Sequence, residues 1–207
     1  MTDQQILRRA YRQGARAEAA EATGQRIVDA FLAHLQNAWF EEITLDAVAR
    51  DAGVTVQTIV RRFGSKQGLL EAVPERMRHK VLLRRGMSVG DIDRTVDLLI
   101  ADYEETGDFL TRFLAQEERH PALRVVSDYG RAGHRQWLSE SFAPWLDPLP
   151  ERVRNTTLDA LVVATDVYVW KLMRRDMRRS AAELKAIVTR MIDAALDAPA
   201  TNHAQKN

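Results

Sequence analysis

Apolar residues recur every three or four positions along almost the whole chain, and nowhere do Val, Ile and Thr alternate with polar residues for long enough to make a strand. That pattern restricts the fold to helices packed on helices. Glycine and proline punctuate it and mark where elements end. Hydrophobic residues make up 45% of the 207 and charged residues 29%, so there is apolar surface to bury and too little polarity to keep the chain unfolded. Cysteine is missing, which excludes disulfides, thiolate metal sites and cysteine nucleophiles. No apolar run approaches the roughly 20 residues of a membrane span, and no N-terminal stretch resembles a secretory leader. The expectation is a cytoplasmic protein with no membrane partner.

The periodicity predicts a first helix from Thr2 to about Ala20, opened by Thr2 and Gln5 as a capping box. Its Arg8, Arg12 and Arg16 fall four apart, on one face. After Thr23-Gly24 a second helix carries the stripe Ile27, Val28, Phe31, Leu32 and Leu35. Short helices follow at about 45–52 and 56–62, then a longer one from Ser65 that Pro74 should bend. Gly86, Ser88 and Gly90 interrupt the pattern. Beyond them helices are expected at about 91–105, 108–119, 121–142, 151–177 and 181–197, the last opened by the pair Ser180 and Glu183.

Residues 44–66 carry the chemistry. Thr44 is a good N-cap for a helix that turns Leu45, Val48 and Ala49 inward. Gly53 supplies a tight turn where a Cβ would be strained. Thr55 can cap a second helix whose buried side is Ile59 with Phe63. Two short helices joined by such a turn make a helix-turn-helix, whose second helix fits the major groove. No acidic residue lies between Asp51 and Glu71, while Arg61, Arg62 and Lys66 do. Thr55, Gln57, Thr58, Arg61 and Arg62 form the outward side, with residue types that pair with base edges and phosphates. Lys66 falls at a helix start, where its ammonium and free N–H groups could share a phosphate. Charge leans the same way: residues 1–85 hold 14 Lys+Arg against 10 Asp+Glu, and residues 86–207 hold 16 against 19.

From Arg26 to Val73 the sequence resembles the N-terminal domain of the TetR family of repressors. Thr44, Leu45, Val48, Ala49, Ala52, Gly53, Val54, Thr55, Thr58, Ile59, Phe63, Ser65, Lys66, Leu69 and Leu70 fall in register with that family's pattern, without a gap. The resemblance implies that Thr44 and Lys66 hold phosphates while Val56, Gln57, Thr58 and Arg62 face the groove. One position departs: the family's usual tyrosine is Val60 here. Arg61 and Arg62 are expected to take over its backbone contact. Arg8, Arg9, Arg12 and Arg16 precede the family's usual first helix and could follow phosphates or enter the minor groove. The division that follows is 1–22 as a basic arm or extra helix, 23–72 as the DNA-binding domain, 73–198 as a ligand-binding and dimerisation domain, and 199–207 as a frayed tail.

Between Leu158 and Met173, 12 of 16 residues are apolar, so one core cannot cover that helix. With Leu184, Ile187, Val188, Met191, Ile192 and Ala195 of the last helix, it would form a two-fold four-helix interface in a homodimer. The resemblance implies the same use of the final two helices, a palindromic double-stranded operator and a small-molecule inducer held in the larger domain. Candidates to touch that inducer are Tyr103, Phe109, Phe113, Trp137, Asp166 and Trp170. Asp166, amid Val163, Ala164, Val167 and Val169, needs a partner, and Arg131 or Arg135 across the bundle could supply it. The one metal-like spacing is Glu117-x-x-His120, which di-iron bundles need twice and which occurs once here. No phosphate loop or nucleophile elbow occurs, so neither enzyme activity nor a cofactor is expected.

Overall fold

In the computed structural model residues 3–77, 86 and 88–197 are described, with side chains from Gly14 onward. Thr2 as a cap, the side chains of Arg8, Arg9 and Arg12, and the tail after Ala198 lie outside the described residues. No strand occurs among those described, and no helix among them is long and apolar enough to cross a membrane. The chain falls into two compact units, Met1–Arg76 and Met77–Asn207.

The first unit consists of α1 (Asp3–Asn37), a 3-10 turn (Phe40–Glu42), α2 (Leu45–Ala52), α3 (Val56–Phe63) and α4 (Lys66–Glu71). Ile27, Phe31, Val48, Ile59, Leu69 and Leu70 are fully buried at its centre. The break expected at Thr23-Gly24 does not occur, because α1 runs straight through it. Ala15, Ala17, Ala19, Ala20 and Ala22 give that stretch high helix propensity. Thr23 bonds back to the Ala19 carbonyl at 2.8 Å instead of capping a new helix. The long helix expected from Ser65 is instead two pieces. α4 stops at Glu71, Ala72 turns, and helix resumes at 73–77. Pro74 thus sits in a first turn, where its missing N–H costs nothing.

The second unit contains α5 (Ile92–Leu114), α6 (Pro121–Ser141), α7 (Ala143–Leu146), α8 (Glu151–Ala164), α9 (Val167–Lys171), a π-helical segment (Leu172–Asp176) and α10 (Ala181–Asp197). α9 and α10 pack on α5, and α6 and α10 pack on α8. Val96, Leu99 and Tyr103 meet Leu138, Leu161, Trp170, Leu184, Val188 and Ile192 in one core. Leu184, Val188 and Ile192 therefore serve their own subunit, and of the last helix's apolar set Met191 is the exposed one. The Ser180–Glu183 capping box forms in both directions, at 2.8 and 3.2 Å.

Two helix boundaries differ from the sequence expectation. α5 continues through Gly107, where a pause between two helices was expected, because Gly107 is a packing glycine. A Cβ there would lie 2.3 Å from the Trp170 ring. The single helix expected over 151–177 is broken at Thr165-Asp166. The Thr165 hydroxyl donates to the Leu161 carbonyl at 2.7 Å, and the Asp166 carboxylate accepts the Tyr168 N–H at 2.8 Å, capping α9. After the break the buried positions are Leu158, Leu161, Ala164, Val167, Trp170 and Met173, while Val163, Tyr168 and Leu172 stay 63%, 52% and 51% exposed. The apolar excess thus divides into a stripe for this core and side chains left exposed outside it.

Ion pairs join the π segment to α5. Arg174 grips Glu104 at 2.6 and 2.9 Å, and Arg175 grips Asp108 with two bonds of 2.8 Å. Glu104 also accepts the Trp170 indole N–H at 2.8 Å, and the Arg175 guanidinium lies 4.5 Å from the Trp170 ring centre. Hydrogen bonds from Arg174 hold the Glu104 carboxyl below its ordinary pKa despite partial burial, and Arg175 does the same for Asp108.

Gly107→Ala should destabilise the chain by about 1–3 kcal/mol through overpacking against Trp170. Gly133→Ala, at a helical position with nothing within 4 Å, should instead stabilise by up to about 1 kcal/mol. Urea titrations of both variants measure this contrast. A depressed carboxyl contributes stability above its unfolded pKa and loses it as pH falls through the folded value. Stability should therefore decline below the ordinary Glu and Asp range, and Glu104→Gln should flatten that decline in acid-unfolding curves.

Candidate nucleic-acid interface

The turn between α2 and α3 is set by local chemistry. The Thr44 hydroxyl accepts the Ala47 N–H at 3.2 Å and starts α2. Gly53 ends it with φ 66°, ψ 39°, in the left-handed region that a side chain rarely enters. Thr55 then accepts the Thr58 N–H at 3.2 Å and starts α3. The Thr55 and Thr58 hydroxyls also lie 3.0 Å apart, so both are partly committed within the helix start. Ile59 is the buried anchor of α3, while Val56, Thr58 and Phe63 are half-buried. Gln57, Val60 and Arg61 stand exposed, and with Thr55 and Thr58 they surround one shallow hollow. Val60, in the place of the resembled family's tyrosine, is 43% exposed.

Lys66 and Arg62, both expected at the DNA, have partners inside the protein. The Lys66 ammonium donates to the carbonyls of Phe40 at 2.8 Å, Ile43 at 2.9 Å and Glu41 at 3.4 Å. It also lies 4.5 Å from the centre of the Phe40 ring. An ammonium has three donors, and these carbonyls use them in a tie between α4 and the 3-10 turn. Partial burial lowers its pKa, against the opposing pull of Glu41. Arg62 donates to the Ala20 carbonyl at 2.7 Å and to the Glu21 carboxylate at 2.6 Å. Arg61, by contrast, has no ion-pair partner among the described residues.

Two further ties brace the same unit, and sequence patterns did not reveal them. His34 at the end of α1 meets Asp51 of α2 at 2.8 Å. Arg76 grips Asp29 of α1 with two bonds, at 2.9 and 2.5 Å. Each joins residues at least 17 apart in sequence, beyond any helical spacing.

In the second unit, the aromatic candidates Tyr103, Phe109, Phe113, Trp137 and Trp170 are all buried. Tyr103 and Trp170 are neighbours at 6.4 Å, and Phe109 meets Phe113 edge-on at 5.7 Å. Their polar ends are satisfied internally: Tyr103 on the Thr165 carbonyl at 3.1 Å, Trp137 on the Gly86 carbonyl at 3.1 Å, and Trp170 on Glu104. The arginine partner expected for Asp166 is overturned, because its carboxylate caps α9. Arg131 bonds Glu117 and Asp128 instead, and Arg135 bonds Asp159. The pairing with Arg131 also occupies the carboxylate of the Glu117-x-x-His120 spacing, and hydrogen bonds from Arg131 keep that carboxyl below its usual pKa.

Lys66→Ala strips a charged donor from the Phe40, Glu41 and Ile43 carbonyls. It should destabilise the chain by about 1–3 kcal/mol in a urea titration.

Residues 39–73 match the family model for bacterial regulatory proteins of the tetR family. Among curated proteins none matches the chain significantly. Solved structures share its fold, two of them as follows. GusR of Salmonella enterica superposes with a TM-score of 0.62 at 18% identity, covering 83% of this chain and 96% of its own. A protein of Mesorhizobium loti MAFF303099 assigned to the TetR family of transcriptional regulators gives 0.62 at 16% identity, covering 86% and 96%. The segment from Trp39 to Val73 thus matches the tetR-family helix-turn-helix model, and the chain shares the two-part all-helical fold of these two structures.

Proposed function

We propose that this chain is a ligand-responsive transcriptional repressor that binds a palindromic operator as a homodimer and leaves it when a small-molecule inducer enters the larger unit. The observation that carries this reading is the outward side of α3. Gln57, Val60 and Arg61 project from a helix locked by Ile59 and Thr55, and no carboxylate occurs from residue 52 to residue 70. Gln57 suits the paired donor and acceptor of adenine, Arg61 the two acceptors of guanine, and Val60 the methyl of thymine. The half-buried Val56 lies one turn before Val60 on the same helix.

Dimerisation is supported by exposed apolar side chains of the larger unit. Val163, Tyr168, Leu172 and Met191 are exposed on α8, α9, the π segment and α10. A second copy meeting the same residues about a two-fold axis would bury them. Two recognition helices held about 34–36 Å apart then fit successive turns of one groove. An inducer in the larger unit would act by favouring a different separation of the heads. Tyr103 and Trp170, side by side in its core, are the aromatic pair we assign to the inducer's surroundings.

A gel shift with the promoter fragment beside its own gene, against a random duplex at two salt concentrations, tests the reading. Wild type should prefer its own fragment. Gln57→Ala and Arg61→Ala should each lose about 1–3 kcal/mol of that preference. Equal retention of both duplexes by wild-type protein would remove the DNA-binding role.

A further inference from the structure

The resemblance and the outward charge of α3 both assign Arg62 to DNA, yet its guanidinium faces the protein. Nη1 reaches the Ala20 carbonyl at 2.7 Å and Nη2 the Glu21 carboxylate at 2.6 Å, across 42 and 41 residues of sequence. The group lies so close to α1 that a Cβ on Gly24 would meet its Cζ, Nε and Nη2 at 2.4 Å. Gly24 itself is buried in the interior of α1, where glycine is a poor helix former. Three features of α1 therefore fit one side chain: a carbonyl, a carboxylate and a residue with no side chain.

We propose that Arg62 is a positioning residue, a latch that fixes the attitude of the recognition helix by holding its C-terminal end to α1, and not a DNA contact. α3 needs such a device. Ile59 is its one fully buried residue, Val56 and Phe63 are half-buried beside it, and Thr55 pins its N-terminal end; Arg62 adds a directed tie near the other end. Arginine suits the task because its planar fork serves two acceptors in fixed directions, which a lysine ammonium does not. Arg61, one position earlier, is left as the outward cation of α3.

This inference rests on the DNA-binding reading above, and the sign of one substitution separates the two. Simple electrostatics says that removing Glu21, a negative charge on the DNA-binding unit, tightens binding to a polyanion. The latch says that it loosens α3 and weakens binding. Fluorescence anisotropy with the labelled promoter duplex and a random duplex, over a series of salt concentrations, would compare wild type, Glu21→Ala, Glu21→Gln, Arg62→Ala and the Glu21→Ala/Arg62→Ala double variant. Glu21 is on an exposed helical surface, so its variants fold, and thermal melts verify the rest.

Glu21→Ala should weaken promoter binding about two- to fivefold, the range an exposed ion pair supplies. Glu21→Gln, which keeps an acceptor, should weaken it less. Arg62→Ala should weaken binding at least as much as Glu21→Ala while keeping the wild-type salt slope, and adding Glu21→Ala to it should cost nothing more. Tighter binding by Glu21→Ala overturns the latch. So does an Arg62→Ala slope shallower by about 0.9, the mark of one lost phosphate contact. If wild type fails to prefer its promoter, the DNA-binding reading falls first, whatever the variants do.

Discussion

A helix of eight residues has almost no stability of its own in water, because nucleation costs more than so few hydrogen bonds return. α3 is such a helix, and its outward side chains are useful only if their directions are fixed. Everything around it in the first unit supplies that fixity from outside. Ile59 anchors its inner side and Thr55 satisfies one of its first free N–H groups, that of Thr58. Gly53 and Gly64, both with positive φ, end α2 and α3 abruptly enough for the short helices to follow one another closely. Lys66 ties α4 to the 3-10 turn by donating to three carbonyls there.

The second unit solves a different problem. It must bury two large aromatic side chains, Tyr103 and Trp170, without leaving their polar atoms unpaired. The solution combines a glycine and a charge. Gly107 lets Trp170 approach the backbone of α5, and Glu104, one turn earlier on that helix, receives the indole N–H. Arg174 and Arg175 then neutralise Glu104 and Asp108, and Arg175 covers the ring. Surface ion pairs are usually weak, but here each is bidentate and the pairs share neighbours, which raises their worth.

Features that depend on near neighbours were legible in the sequence. The caps at Thr44 and Thr55, the left-handed Gly53, the inward Ile59 and the Ser180–Glu183 box all follow from residues within four positions of one another. The helical class followed from periodicity. Features that depend on a distant backbone were not legible. The acceptors of Lys66 and Arg62 are mostly main-chain carbonyls, which every residue has and no pattern advertises. Both cations therefore read as available for phosphate. Glycines misled in the same way: Gly24 and Gly107 look like stops, yet each is a gap cut for one particular side chain. Asp166 did carry a local signal, a capping residue just before Val167, but the long apolar run around it concealed the break. The roles of Gln57, Val60 and Arg61 toward a base sequence belong to the complex, and no pattern within the chain fixes them.

The π-helical stretch Leu172–Asp176 imposes a constraint of length as well as of chemistry. Its backbone bonds span one residue more than those of an α-helix. Removing a residue ahead of Arg174 would turn Arg174 and Arg175 by roughly 100° about the axis, and the helix ends just beyond them at Met177. Arg174 and Arg175 would then point past α5, leaving Glu104 and Asp108 beside a tryptophan without their counter-charges. An insertion would do similar harm in the other direction. Related chains can thus vary the residues of this segment more freely than they can vary its count.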